Sequence, residues 1–219
     1  MQQLFSFLVP SRRFVGILLL TIFLPVSPAL AMSILNGSFE QGTISDLDPR
    51  FETLPAGSGN ITSWEIIGLS VDYIGSLWMA SDGNRSLDLE GIEANAGGGV
   101  QQTFATDIGQ MYEVTFDMAG NPSGVSSIKV LNVSAGDNNQ NFSFDTVESS
   151  TEFMNWDTRM FTFTATSTST TLAFTAVSPL AGFGAALDNV DVHPVPEPST
   201  VLLLGAALAG LGVYRRCRS

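Results

Sequence analysis

A two-sheet β-sandwich of jelly-roll type is the fold class this sequence predicts, on three observations. Between residues 32 and 193, runs rich in Phe, Val, Thr, Ile and Ser are punctuated by Gly, Asn, Asp and Pro. Several runs alternate apolar and polar residues with the period of a half-buried strand: Tyr112-Glu113-Val114-Thr115-Phe116-Asp117-Met118, Arg159 to Ala165, and Thr170 to Thr175. No stretch of this region shows convincing helical periodicity. About ten strands joined by short turns fit two packed sheets.

The elements follow in chain order. Residues 1–31 carry a basic pair, Arg12 and Arg13, then an apolar run from Phe14 to Leu24. Pro25 and Pro28 break the run, and Ala29-Leu30-Ala31 offers small residues where a signal peptidase reads. This is the layout of a secretory signal peptide, with the mature chain starting at Met32. Strands are expected at Thr62–Ile67, Ser70–Ile74, Ser86–Leu89, Gly99–Thr106, Gln110–Met118, Ser127–Ala135, Phe142–Asp145, Asp157–Thr166, Thr170–Val177 and Ala185–Val192. Prolines in His193–Glu197 prevent regular pairing, so this stretch reads as a linker.

The tail, residues 194–219, closes with an apolar segment at 200–214 followed by Arg215, Arg216 and Arg218. As a helix that segment spans about 22 Å. A bilayer core is about 30 Å thick, so the segment is a marginal transmembrane helix, weakened further by its Gly and Ala content. The arginines favour the cytoplasmic side.

Charge excludes whole classes of partner. Residues 32–193 hold four basic residues (Arg50, Arg85, Lys129 and Arg159) against twenty acidic ones, a net charge of about −16. Such a surface repels nucleic acid, whose binding rests on phosphate neutralisation by Lys and Arg. It also repels anionic polysaccharide unless divalent cations bridge the two. Two readings of the acidity stand: solubility in an exposed setting, or oxygen ligands for calcium. The one cysteine, Cys217, lies in the tail, so the body has no disulfide, no cysteine-based zinc site and no catalytic cysteine.

Val195-Pro196-Glu197-Pro198-Ser199, an apolar stretch and an Arg cluster containing Arg215 and Arg216 together resemble the PEP-CTERM sorting signal. The resemblance implies recognition of the tail by an exosortase, a membrane-embedded transpeptidase. The tail would then be a temporary inner-membrane anchor, processed on the way to the surface of a Gram-negative bacterium that makes exopolysaccharide.

Inside the body, Leu35-Asn36-Gly37-Ser38-Phe39-Glu40-Gln41-Gly42 and Gly184 to Val192 resemble the first and last strands of galactose-binding-like jelly rolls. The run Ser70–Leu89, with Gln101–Thr106, Thr115–Pro122 and Phe161–Thr166, is similar to the choice-of-anchor C domain. That family is related to plant cell-wall proteins built on a domain of unknown function. In carbohydrate-binding modules of the galactose-binding-like fold the termini lie side by side and often share a structural Ca2+. The resemblance implies Glu40 and Asp188 as its side-chain ligands. The other reading is that both accept backbone hydrogen bonds.

For a ligand site, aromatic faces that pack on the C–H face of a sugar are sought first. Trp64 and Trp156 read as core or rim. Trp78 reads as a loop residue, with Tyr73 nearby and Asp72, Asp82 and Arg85 able to bond hydroxyls. A salt bridge is the plainer role for Arg85. Catalysis finds little support. His193, the one histidine, falls in the linker, which leaves no Ser-His-Asp set in the body. No carboxylate pair can be singled out as a glycosidase pair among so many acids. The expectation is a non-catalytic, exported, surface-sorted protein that binds carbohydrate in the extracellular polysaccharide matrix. The alternatives are a purely structural envelope or matrix protein, and a glycan hydrolase.

Overall fold

The structure, a computed structural model, describes residues 34–44, 50–91, 97–124, 126–177, 182–196 and 199–216. The expected signal peptide, residues 1–31, lies outside them, as do Glu197, Pro198, Cys217 and Arg218.

Eleven strands and one helix are present among the described residues. One sheet contains β1 (Phe51–Pro55), β3 (Ser70–Ile74), β4 (Ser86–Asp88), β11 (Ala185–Pro194), β6 (Met111–Gly120) and β9 (Asp157–Thr164), neighbouring in that order. The other contains β2 (Glu65–Gly68), β5 (Gly98–Ala105), β10 (Ser169–Ala176), β7 (Ile128–Ala135) and β8 (Asn138–Asp145). Every pairing between these strands is antiparallel. The fold is a jelly-roll β-sandwich, in which strands distant in sequence become neighbours.

Strand alternation builds the core. In β7, Lys129, Leu131, Val133 and Ala135 are buried while their neighbours are not. Phe116 of β6 meets Phe142 of β8 and Phe174 of β10 edge-on, each at 5.2 Å between ring centres. These contacts join the two sheets. Trp64 sits between Phe39 and Phe174 at 5.3 and 6.4 Å, which confirms it as core.

The same alternation sends other residues to the far face of the six-stranded sheet. Phe116 points at the second sheet, and Met118, Leu187 and Leu87 share its side through their cross-strand pairing. Asp72, Asp88, Asp117 and Asp188 therefore point away from the second sheet. All four are nevertheless buried, at 6, 0, 6 and 0% exposure. In β3, Val71 and Tyr73 face the core, and Ser70, Asp72 and Ile74 on the other side are buried as well.

Three sequence expectations need correction. β1 was not anticipated; it pairs with β3 in full register, Phe51 opposite Ile74 to Pro55 opposite Ser70. β8 begins at Asn138, not Phe142, because β7 templates its Asn-rich half residue by residue despite poor intrinsic strand preference. His193 belongs to β11, not a linker: it pairs with Glu113, and its Nε2 lies 3.1 Å from Asp191 Oδ2.

The tail forms α1 (Ser199–Arg216), with Arg215 and Arg216 exposed in its last turn. The expected transmembrane segment 200–214 falls within it, yet no helix among the described residues is long and apolar enough to cross a membrane. Three glycines, Gly205, Gly210 and Gly212, and the alanines among them dilute its hydropathy.

Candidate functional site

The β3–β4 connection, residues 75–85, organises the site. Its start is fixed by Arg50, whose carbonyl accepts the Gly75 and Leu77 N–H groups at 2.7 and 3.2 Å. Its middle is fixed by Asp188, whose Oδ2 accepts the Ser81 and Asp82 N–H groups at 2.7 and 3.0 Å. Its end is fixed by Glu40, whose Oε1 accepts the Asn84 and Arg85 N–H groups, both at 2.7 Å. Gly83 has a positive φ of 68°, and a Cβ there would stand 2.5 Å from the Glu40 carboxyl carbon. Only glycine lets the turn close on that carboxylate. Asp117 completes the fastening, accepting the Ser81 hydroxyl at 2.6 Å, the Thr158 hydroxyl at 2.6 Å and the Asn189 side-chain amide at 3.0 Å.

Glu40 and Asp188 thus converge on one loop, as the resemblance implied, but they meet amide donors. Asp188 Oδ1 also accepts the Asn189 N–H at 2.7 Å. Calcium requires six to eight oxygens directed at one point. Here positive N–H ends point at the carboxylates, and no group of three or more His, Cys, Asp or Glu able to hold a metal occurs among the described residues. Both carboxylates accept backbone hydrogen bonds, as the second reading of this pair expects.

Beside this loop opens a cleft of ≈ 750 Å³, whose walls include Leu77, Met79, Asn84, Arg85, Thr151 and Glu152. Arg85 has its guanidinium carbon 5.5 Å from the centre of the Tyr73 ring, a cation–π contact that aims the side chain. Across the cleft, bonds from its own N–H and from the Ser150 and Thr151 side chains hold the Glu152 carboxyl below the ordinary range. Met79 stands 73% exposed on the rim.

The expected ligand residues are only partly here. Arg85 lines the cleft. Trp78 touches it but is 5% exposed, with its indole N–H given to Ser86 Oγ at 2.9 Å, so it offers no open face. Tyr73 is wholly buried and donates its hydroxyl to the Phe39 carbonyl at 2.6 Å. Asp72 is buried beneath Thr53, whose hydroxyl it accepts at 2.6 Å. Tyr73, Asp72 and Trp78 are thus interior residues: Tyr73 on the core side of β3, Asp72 under Thr53, and Trp78 turned inward from the 75–85 loop. Asp82 is exposed but outside the cleft wall. Of the sorting residues, Pro196 is described and exposed.

Residues the sequence did not single out include Met79, Asn84, Thr151 and Glu152. Their chemistry is ordinary, and only the approach of two loops 70 residues apart makes it a site. Trp156, read as core or rim, is half-buried and donates its indole N–H to the Met79 carbonyl at 3.0 Å, tying those loops together.

Burial shapes the electrostatics under the loops. It raises Asp72 to about 6, and Asp88 and Asp188 to about 7, in each case against hydrogen bonds that pull the other way. Glu90 is 3% exposed, and neither carboxyl oxygen has a hydrogen-bond partner among the described residues; burial, then repulsion from Asp88, raises it to about 7. Fully buried Lys129 is pushed down by burial against the pull of Asp88 and Glu90.

Residues 32–193 match the family model described as "Protein of unknown function (DUF642)", and residues 194–218 match the PEP-CTERM protein-sorting motif. Halomucin of Haloquadratum walsbyi is 33% identical over 173 residues, 74% of this chain but 2% of that protein's length. Among solved structures, TmCBM61 in complex with beta-1,4-galactotriose is 17% identical, covers 75% of this chain and 100% of its own, and gives a TM-score of 0.44. A family 35 carbohydrate binding module from Clostridium thermocellum is 12% identical, covers 66% and 99%, and gives 0.44. With its body and its tail both matched, the chain belongs to the DUF642 family and ends in the PEP-CTERM signal of an exported, surface-sorted protein.

Proposed function

We propose that this protein is a non-catalytic carbohydrate-binding module of the extracellular polysaccharide matrix, delivered to the cell surface of a Gram-negative bacterium by an exosortase that reads its tail. The cleft beside the 75–85 loop carries the reading. Its walls alternate hydrogen-bonding groups (Arg85, Asn84, Thr151, Glu152) with apolar ones (Leu77, Met79). A pyranose ring has the same character, with hydroxyls at its edge and C–H groups on its faces. A glycosidase needs two opposed carboxylates; of the described residues lining the cleft, Glu152 alone is acidic. The test is a glycan-binding screen of the exported protein beside Glu152→Gln and Met79→Ala, both exposed and remote from the core. The expected result is glycan binding weakened by both variants. No binding to any glycan, with the fold intact, would support a purely structural matrix protein, the reading favoured by the burial of Trp64, Trp78 and Tyr73.

A further inference from the structure

We infer that the binding site continues past Trp156 into a second cleft, and that its ligand is an extended, uncharged glycan chain rather than a single terminal sugar. This inference rests on the carbohydrate reading of the first cleft. The second cleft, ≈ 560 Å³, includes Val147, Glu148, Asn155, Trp156 and Asp157 in its walls. One loop serves both clefts: Thr151 and Glu152 line the first, Asn155 and Trp156 the second.

That loop is built to hold its shape. Asn155 takes a positive φ of 57° and donates its side-chain amide to the Glu148 carbonyl at 2.8 Å. Ser150 and Phe153 exchange backbone bonds at 2.9 and 3.1 Å, and Met154 is buried beneath. Because the Trp156 N–H is already given to Met79 in the wall of the first cleft, the indole has only apolar surface left for a ligand. Val147 and Phe153, 73 and 66% exposed, stand on this loop, and Met79, 73% exposed, lies across from it. Val147 lines the second cleft and Met79 the first, so each cleft offers an open apolar side chain.

Size and charge identify the occupant. A site of about 300–1,000 Å³ holds a drug-sized molecule. Two such clefts lined by one loop exceed one sugar unit. The second cleft carries the carboxylates of Asp145, Glu148 and Asp157, and the Asp157 carboxylate is paired with Arg159 at 2.9 Å. A uronate chain would bring its charges against these acids; a neutral chain brings only hydroxyls and C–H faces.

The test is calorimetric titration of the full exported protein with neutral β-linked gluco- and galacto-oligosaccharides, from disaccharide to octasaccharide, with polygalacturonate in parallel. Affinity is expected to rise at least about tenfold with length, and Val147→Asp, at an exposed position that cannot disturb the core, is expected to remove that rise while leaving disaccharide binding in place. Trp156→Ala is expected to remove it as well, with weaker disaccharide binding, because its indole also holds Met79 of the first cleft. Equal affinity at all lengths, or a length gain untouched by both variants, overturns the second cleft while the first stands. Polygalacturonate binding as tightly as the neutral chains overturns the uncharged ligand. Binding of none of these by a folded protein overturns both the inference and the carbohydrate reading beneath it.

Discussion

Glu40 and Asp188 come from opposite ends of the domain and hold the same five-residue turn, Ser81 to Arg85, each through a pair of backbone N–H groups. The contact joins the first segment of the sandwich to its last strand without a covalent bond. Asp188→Ala removes the acceptor of three N–H groups, those of Ser81, Asp82 and Asn189, and opens space at a buried side chain; a lost hydrogen bond whose donor water can reach costs about 0.5–1.5 kcal/mol. A large fall in melting temperature is expected, with proteolytic nicking at 81–85. Chelator is expected to leave the wild-type melting curve in place. A chelator-induced fall that calcium reverses would show that a metal, not the amide clasp, joins the termini.

Gly83→Ala is expected to act on the same turn by a different route. The new methyl meets the Glu40 carboxylate, and the positive φ strains any side chain. A loss above about 1 kcal/mol in denaturant unfolding is expected. If Glu40→Ala brings no recovery in the double variant, the clash with Glu40 is not the cause.

Four acids under the loops set a pH dependence. Asp72, Asp88, Glu90 and Asp188 all have folded pKa values raised by burial, to about 6 or 7. A raised value means the folded state binds the proton more tightly than the unfolded chain does. The stabilisation is complete below the ordinary carboxylate range and is lost as pH rises through 6 to 7. Calorimetry is expected to show a higher melting temperature near pH 5 than near pH 8. Asp88→Asn, which keeps an acceptor without a charge, should flatten the slope. An unchanged slope would mean that these acids keep their solution pKa values.

Lys129 offers a complementary check. It supplies positive charge near Asp88 and Glu90 when they ionise. Lys129→Met fills similar volume without that charge, so it is expected to be tolerated near pH 5 and destabilising near pH 8. An equal effect at both pH values would make its role one of packing alone.

The tail predicts a processing event. In a host with an exosortase, protein at the surface is expected to lack residues beyond about Pro198. Intact mass showing Cys217 retained there would refute that.

Much of this protein is legible from local chemistry. Alternation in Tyr112–Met118 and Arg159–Ala165 marks strands because one sheet face meets the core and the other does not. The Pro-Glu-Pro tail with its arginines is readable because a sorting machinery reads it as linear sequence. Even the meeting of Glu40 with the Asp188 region was visible through resemblance. What tertiary structure alone decided is what those residues touch. Period-two logic treats the far face of β3 as open to solvent, which made Asp72 look available, and a loop position did the same for Trp78. Thr53 of β1 bonds Asp72, and Trp78 turns inward to Ser86; no pattern within either segment records it. The same holds for the cleft: Arg85 and Glu152 are 67 positions apart, and a site built where two loops meet has no local signature. β1 and the Asn-rich half of β8 were hidden for a related reason, since their strand conformation comes from the partner they pair with rather than from their own residues.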